Sequence, residues 1–228
     1  MQRLALIADV VGSRKVADRA ELQQRIKKVL KTLNGRRPDL LSPYTVTLGD
    51  EFQALFASAD RVLRDVVHIM SALYPVQVRF ALGVGEITTD INPDQALGMD
   101  GPAFYHARDG MTRLKGTDHL INLTGMEPSL QRLCNHSLQL FSYTLHKWRH
   151  SRYQILAGLL EGHTVKDLVV PLGVSDKAIY KNISDGALET IQGLLADMSE
   201  QLNQAIGASL EPQPPTQSSE QEPRQEDH

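Results

Sequence analysis

Two aspartates each follow a short hydrophobic run. Asp9 follows LALIA (residues 4–8) and Asp50 follows YTVTLG (residues 44–49). Carboxylates that meet at strand ends supply the hard oxygen ligands that hold Mg²⁺, and the ion in turn bridges the phosphates of a nucleotide. Asp9 and Asp50 are therefore candidate metal ligands. Each aspartate alone could equally be a turn residue, and only the pair on neighbouring strands favours a metal site.

The apolar pattern around these residues alternates between strands and helices. Residues 3–10 form a nearly continuous apolar run, which is typical of a buried strand. The other expected strands are Tyr44–Leu48, Glu51–Ala57, a run from Val78 to about Val84, and His119–Leu123. Two helices are expected to follow the capping residues Asp18 and Ser58, and a third is expected to begin at Pro102. The order β-α-β-β-α-β, with one further helix and strand, predicts an α+β fold of the ferredoxin-like (split βαβ) type.

This topology brings the two aspartates together. In a split βαβ unit the third strand lies antiparallel beside the first, so the end of the first strand, at Asp9, is next to the start of the third, after Asp50. Gly12, Ser13 and Gly49 lie in the same two segments and are candidate nucleotide-binding residues. Gly12 and Gly49, together with Gly83 and Gly85 of the fourth strand, are expected to leave space for a ligand.

Four segments in this order resemble a known family. ADVVGS (8–13) and TLGDEF (47–52) are similar to the metal-binding strand end and second hairpin of class III nucleotide cyclases and of the related GGDEF palm domains. VRFALGVGEI (78–87) resembles the next cyclase strand, and GPAFYHARDGM (101–111) resembles the helix after it. The resemblance implies a phosphate-binding role for Arg108. With its C-terminal half, the chain resembles the SatD-type family of bacterial proteins, a cyclase-like palm followed by a helix-turn-helix.

The chain also departs from the cyclase pattern at two positions. The lysine that selects the purine in cyclases is replaced by Thr47, and the asparagine expected four residues before the helix arginine is replaced by Phe104. Groups that stabilise the charge of the transition state usually make the largest single contribution to catalysis. The expectation is a palm that binds a nucleotide triphosphate and Mg²⁺ but turns the nucleotide over poorly.

The C-terminal half has the pattern of a helix-turn-helix. YQILAGLLEG (153–162) is one helix, Thr164 caps VKDLVV, which Pro171 closes, and Ser175 caps DKAIYKNISDGALETI (176–191). The helix that begins at Ser175 would lie in the major groove of duplex DNA, with Ser175, Lys177, Tyr180 and Lys181 as candidate DNA-binding residues. Residues 147–183 contain six Lys or Arg and three Asp or Glu, a local positive excess.

Two other readings of this half stay open. The helices could form a bundle that serves only dimerisation. His146 and His150 lie four residues apart, which suits a metal ion, but no third ligand is near them in the sequence and surface histidines are common.

Size and composition set further bounds. The chain has 228 residues, 41% of them hydrophobic, and a net charge of −3, which argues against extensive coating by nucleic acid. Its single cysteine, Cys134, excludes an internal disulfide and fits a reducing, cytoplasmic location. No apolar run approaches the roughly 20 residues of a membrane span. The expected parts are a palm (1–125), a helical connector (126–150), a helix-turn-helix domain (151–209) and a disordered tail (210–228).

Taken together, these patterns predict a homodimeric, DNA-binding transcriptional regulator with a degenerate cyclase-like palm that senses a nucleotide and Mg²⁺. The alternative is an active nucleotide cyclase or nucleotidyltransferase whose C-terminal helices serve oligomerisation or targeting. The losses at Thr47 and Phe104 favour the regulator, whereas Asp9, Asp50 and Arg108 keep the enzyme open.

Overall fold

A computed structural model of the chain describes residues 1–13, 16–35 and 39–207. Within them the chain forms five strands and eight helices, in an α+β arrangement. The strands are β1 (Gln2–Val10), β2 (Leu40–Val46), β3 (Glu51–Phe56), β4 (Val78–Glu86) and β5 (Ile121–Thr124). The helices are α1 (Arg19–Asn34), α2 (Val62–Leu73), α3 (Pro102–Leu114), α4 (Pro128–Leu145), α5 (His150–Leu160), α6 (Val165–Leu172), α7 (Asp176–Asp185) and α8 (Leu188–Ile206).

The five strands form one sheet in the order β2-β3-β1-β4-β5. β1 lies antiparallel to both β3 and β4, and β5 adds a parallel edge strand beside β4. The first four strands therefore have the split βαβ order that the sequence predicts. The neighbouring positions of β1 and β3 are confirmed, because Asp9 at the end of β1 pairs with Glu51 at the start of β3.

The two faces of the sheet are covered unequally. Along β1, Leu4, Leu6 and Ala8 point into a large core, whereas Ala5 and Ile7 point into a smaller one, as the alternation of a strand requires. The smaller core lies under α3 and includes Phe104, Ala107 and Met111. The larger core contains side chains from the other helices, including α1, α2, α4, α5 and α8.

The C-terminal helices share this larger core with the sheet. α5 packs on α2, and α8 lies against β1 and β4. Polar contacts reinforce the packing: Asn203 of α8 accepts a hydrogen bond from the backbone N–H of Ala59 at 2.7 Å, and Arg61 forms a 2.8 Å ion pair with Glu161. The expected boundaries at residues 125 and 150 stay predictions, and the expected tail lies outside the described residues.

Several element ends differ from the sequence expectation. β2 begins at Leu40 and ends at Val46, and its pairing with β3 shifts between Leu40 and Ser42 and again between Ser42 and Thr45. The strand contains Pro43, which it accommodates because it lies at the edge of the sheet. α2 begins at Val62 because the Ser58 hydroxyl donates to the Asp60 carboxylate at 2.9 Å and caps no helix. No helix in the described ranges is both long and apolar enough to span a bilayer.

The helices after residue 150 also end differently. Pro171 lies inside α6, which ends at Leu172 and is capped by the left-handed Gly173. The expected helix 176–191 is two helices, because α7 ends at Asp185 with Gly186 as its cap, and Ala187 takes a left-handed conformation (φ 48°) before α8. Thr164 and Ser175 cap α6 and α7 as expected.

Candidate functional site

The carboxylate corner lies at one end of the sheet, on the face that α3 covers. Asp9 continues the side of β1 that carries Ala5 and Ile7, and its register partners are Glu51 on β3 and Arg79 on β4. Asp9, Glu51 and Arg79 thus form a polar row across three adjacent strands. α3 ends beside this row, so that the charge of Lys115, its C-terminal capping residue, acts on Asp9.

The electrostatics of Asp9 show what surrounds it. Burial raises the pKa of the Asp9 carboxyl, Lys115 lowers it, Asp50 raises it, Arg79 lowers it and Glu51 raises it, with a net upward shift. Burial disfavours the ionised form most strongly, since the side chain is only 21% exposed. Asp50 is close enough to Asp9 for the two charges to interact. The structure therefore brings the two predicted metal ligands to the same corner.

The hairpin between β2 and β3 positions Asp50. Gly49 adopts a left-handed conformation (φ 64°), and the Glu51 N–H donates to the Leu48 carbonyl at 3.0 Å. Thr47, which occupies the place of the cyclase lysine, donates through its hydroxyl to the Glu51 carboxylate at 3.1 Å. At the position where cyclases carry the lysine that selects the base, the short side chain of Thr47 therefore holds the Glu51 carboxylate in place.

Gly12 is the second left-handed glycine of the corner (φ 64°), in the turn after β1. Apart from the adjoining residues, no atom of the described chain lies within 4 Å of the position that a Cβ would take on Gly12 or Gly49. These two glycines therefore leave open space beside the carboxylates, as expected. Ser13 lies in the same turn, where its carbonyl accepts from the Val16 N–H at 3.3 Å.

The expectation that Gly83 and Gly85 leave space for a ligand is wrong. A Cβ on Gly83 would lie 2.2 Å from the Ala103 carbonyl oxygen, and one on Gly85 would lie 2.3 Å from the Ala103 nitrogen. The space above both glycines is filled by the backbone of α3. Their function is close helix-to-sheet packing, which the sequence pattern does not distinguish from a ligand site.

Arg108 is exposed on α3, and the phosphate-binding role that the family resemblance implies for it stays a prediction. Its charge acts on Tyr105, whose pKa is raised mainly by the hydrogen bond to Asp100. The cation of α3 that acts on Asp9 is Lys115, seven residues further along and thus about 10 Å away along the helix axis. Phe104 is buried in the small core and presents no polar group.

Three residues of the corner were not predicted from the sequence as site residues: Glu51, Arg79 and Lys115. Arg79 was detectable, because it is a charged residue inside an otherwise apolar strand and antiparallel pairing places it opposite Asp9. Lys115 was not, since its position depends on where α3 ends. No group of three His, Cys, Asp or Glu residues in the described ranges is arranged to hold a metal ion. The donors fit, at most, a single Mg²⁺ that keeps water or phosphate as its other ligands.

The paired histidines are engaged elsewhere. The Gln77 side-chain amide donates to Nδ1 of His146 at 2.7 Å, and Nε2 of His146 donates to the Asp118 carbonyl at 2.6 Å. His150 stacks on Tyr74 and contacts the Ser71 carbonyl through Nε2 at 3.0 Å. These contacts are structural, so the two histidines form no shared metal site.

The second candidate site is the outer surface of α7. Ile179 is fully buried and Leu168 of α6 nearly so, which packs α7 against α5 and α6. Lys177, Tyr180 and Lys181 are exposed on the opposite side, at helical spacing. Ser175 is also exposed, but its hydroxyl accepts a hydrogen bond from the Ala178 N–H at 3.2 Å and caps the helix. A role of these residues in DNA binding stays a prediction.

Comparison with known proteins identifies the family. The SatD family model matches residues 3–188, most of the chain. The chain belongs to the SatD family. No curated protein matches this SatD family member at a significant level.

Solved structures give weaker similarities to this SatD protein. A bacterial light-regulated adenylyl cyclase is 13% identical with a TM-score of 0.40, over 54% of this chain and 43% of its own. A guanylyl cyclase is 14% identical with a TM-score of 0.34, over 50% and 70%. A regulator of polyketide synthase expression from Bifidobacterium adolescentis is 14% identical with a TM-score of 0.25, over 89% and 84%. The SatD chain thus spans less than half the length of the adenylyl cyclase, and none of these similarities carries an argument about activity.

Proposed function

We propose that this SatD family protein is a homodimeric DNA-binding regulator that contacts duplex DNA with α7. The observation that carries the proposal is the outer surface of α7, where Lys177, Tyr180 and Lys181 are exposed on a helix that follows a left-handed glycine turn. An α-helix fits the major groove, and lysine and tyrosine supply donors for base edges and phosphates.

The packing of the neighbouring helices supports this assignment. α5 is held on α2, and α8 is held on β1 and β4, so both are anchored to the sheet. α6 and α7 pack on α5 but not on the strands through any extensive contact. The surface of α7 is therefore presented away from the sheet, on a rigid base that would fix its angle to DNA.

A mobility-shift assay on full-length protein tests the proposal, with fragments of the source genome and a selected random duplex. The variant Lys177→Ala/Lys181→Ala should lose the shift, since both phosphate contacts are removed. Lys27→Ala/Lys28→Ala is the matched control, because these two lysines are exposed on α1. If the α7 variant binds DNA as tightly as the parent, the C-terminal helices would serve dimerisation instead of DNA binding.

A second function is carried by a separate observation, the interaction between Asp9 and Asp50 beside the open space at Gly12 and Gly49. We propose that this corner binds the phosphates of a nucleotide triphosphate with one Mg²⁺. Asp9 and Asp50 would hold the ion, which would neutralise the phosphates, and Lys115 and Arg79 would add positive charge. Thr47 and Phe104 supply neither the lysine nor the amide expected of a cyclase, so turnover should be slow.

Thermal unfolding with ATP or GTP, with and without Mg²⁺, tests this second proposal. A nucleotide that binds only the folded protein must raise the melting temperature. The rise should require Mg²⁺ and should be lost in Asp50→Ala. Robust formation of a cyclic nucleotide by the purified protein would instead promote the enzyme alternative.

A further inference from the structure

A groove of 380 Å³ opens at the edge of the sheet, between β5, the C-terminal end of α3 and α4. Its lining contains two positively charged residues, Arg113 and Arg132, and two histidines, His119 and His136. None of the lining residues is an aspartate or a glutamate. In a protein with a net charge of −3, this is a local concentration of positive charge at a concave surface.

The two arginines are available to a ligand. Across the described ranges, no carboxylate lies within 4.0 Å of either guanidinium. Arg132 donates to the neutral Ser129 hydroxyl at 3.1 Å. Glu127, at the start of α4, accepts from the Ser129 and Leu130 N–H groups at 2.9 and 2.8 Å; these hydrogen bonds lower its pKa most, and the charge of Arg132 adds to that effect. Within the described residues, neither arginine of the groove therefore forms an ion pair.

Pairing of an added β-strand is blocked at Leu123, although β5 is an edge strand. Asn135 of α4 accepts a hydrogen bond from the Leu123 N–H and donates to the Leu123 carbonyl, both at 2.8 Å. It thereby takes the two backbone groups with which Leu123 would bond to a peptide. This favours a compact occupant over an extended chain.

Neutral polar groups complete the walls. The side-chain amides of Asn122, Gln131 and Gln139 line the groove beside the basic residues. Oδ1 of Asn122 is buried and has no hydrogen-bond donor among the described residues. An unsatisfied buried amide is unfavourable, so Asn122 gains if it turns toward a ligand that carries hydroxyl or amine groups.

We propose that this groove binds a small phosphomonoester, with Arg113 and Arg132 on the phosphate and the side-chain amides on the neutral remainder. A guanidinium fork matches the oxygens of a phosphate, and two arginines with two histidines suit a dianion better than a single carboxylate. The volume lies within the range of about 300–1,000 Å³ typical of small-ligand pockets. The lining of this groove shares no residue with the corner, which is formed by Asp9, Asp50, Glu51, Arg79 and Lys115.

The test uses full-length protein and three probes, ribose 5-phosphate, glucose 6-phosphate and AMP, each beside its unphosphorylated counterpart. At least one ester should raise the melting temperature saturably, and its counterpart should not. In Arg113→Gln/Arg132→Gln the apparent affinity should fall at least about tenfold, since two charge-assisted hydrogen bonds are lost. Arg149→Gln is the matched control, an exposed arginine outside the groove. Asp50→Ala should still bind, which separates this site from the nucleotide corner.

A ¹⁵N–¹H correlation spectrum localises the binding. The side-chain amide signals of Asn122, Gln131 and Gln139 should shift on addition of the ester. The proposal is overturned if no probe binds, if inorganic phosphate binds as tightly as every ester, if the double variant binds like the parent, or if the shifts lie elsewhere. Displacement of the ester by short duplex DNA with these same amide shifts would assign the groove to the DNA backbone and also overturn it.

Discussion

Arg79 and Asp9 are register partners across β4 and β1, with Nη1 of the guanidinium 4.0 Å from Oδ2 of the carboxylate. The pair is loose, and Nε of Arg79 is buried without a partner among the described residues. Burial therefore outweighs the pairing and raises the pKa of Asp9. The corner is therefore suited to a ligand that brings positive charge to the partly buried Asp9 carboxylate and hydrogen-bond acceptors to the Arg79 guanidinium.

The raised pKa of Asp9 predicts a dependence of stability on pH. The folded state holds the Asp9 proton more tightly than the unfolded state, whose pKa is near 3.8. The stabilisation that this provides is present below the unfolded pKa and is lost as the pH rises through the folded one. The free energy of unfolding of Asp9→Asn, minus that of the parent, should therefore increase with pH above about 3.8 and then level off.

Urea unfolding at a series of pH values from 3.5 to 7 measures this difference. Asp90→Asn, at an exposed carboxylate outside the corner, is the control. A difference for Asp9→Asn that stays constant with pH would show that Lys115 and Arg79 balance the effect of burial on Asp9, and one that falls with pH would show that they dominate it; either result would contradict the raised pKa.

Gly83→Ala should destabilise the fold through steric overlap with α3. The added methyl group would lie 2.2 Å from the Ala103 carbonyl oxygen and 2.4 Å from the Ala107 nitrogen. Since backbone atoms cannot move aside singly, we expect a loss of about 1–3 kcal/mol or more. Thermal and urea unfolding measure it.

The matched control for that change is Gly193→Ala in α8, where, beyond the helix's own nearby backbone, no atom of the described residues lies within 4 Å of the added methyl group. It should stabilise the protein by about 0.5–1 kcal/mol, because alanine favours a helix over glycine. Equal effects of the two substitutions would mean that α3 does not lie closely on β4.

Asn203→Ala should weaken the attachment of α8 to the sheet. Asn203 is only 1% exposed, accepts from the Ala59 N–H at 2.7 Å and donates to the Asp60 carboxylate at 2.5 Å. Its removal leaves a buried N–H unsatisfied, at a cost of about 1–3 kcal/mol. Gln204→Ala should cost far less, because Gln204 is exposed and its side-chain amide donates to the Glu200 carboxylate within α8.

The shared core also predicts how the parent protein unfolds. The parent should unfold in one cooperative transition, since side chains of the sheet and of the C-terminal helices lie in one cluster. A separate early transition of the C-terminal helices in the parent would contradict this prediction.

The sheet was readable from the sequence because its strands depend on local patterns. The apolar run at residues 3–10 and the Gly49-Asp50 turn specify β1 and the β2–β3 hairpin, and the split βαβ order follows from the number and sequence of elements. The ends of elements were less predictable. The hydroxyl of Ser58 bonds to Asp60 instead of capping α2, and Ala187 interrupts what reads as one helix.

The candidate site was only half readable for the same reason. Asp9 and Asp50 lie at strand and hairpin ends, where topology alone makes them neighbours. Lys115, in contrast, reaches the corner only because α3 lies closely over Gly83 and Gly85, and no local pattern predicts that packing.

Ser175 provides a test that separates the stability of α7 from DNA binding. Its hydroxyl caps α7 through the Ala178 N–H, and Asn or Asp can replace it in that role. Ser175→Asn and Ser175→Asp should both keep the melting temperature near that of the parent, whereas Ser175→Ala should cost about 0.5–2 kcal/mol.

The Asn and Asp variants should differ in DNA binding, because only Ser175→Asp adds a negative charge beside Lys177. In a mobility-shift titration at low salt, Ser175→Asp should bind DNA more weakly than Ser175→Asn. Because the loss is electrostatic, it should shrink as the salt concentration rises. Equal DNA affinity of the Asn and Asp variants would place the start of α7 away from the phosphates and count against the proposed orientation of the helix.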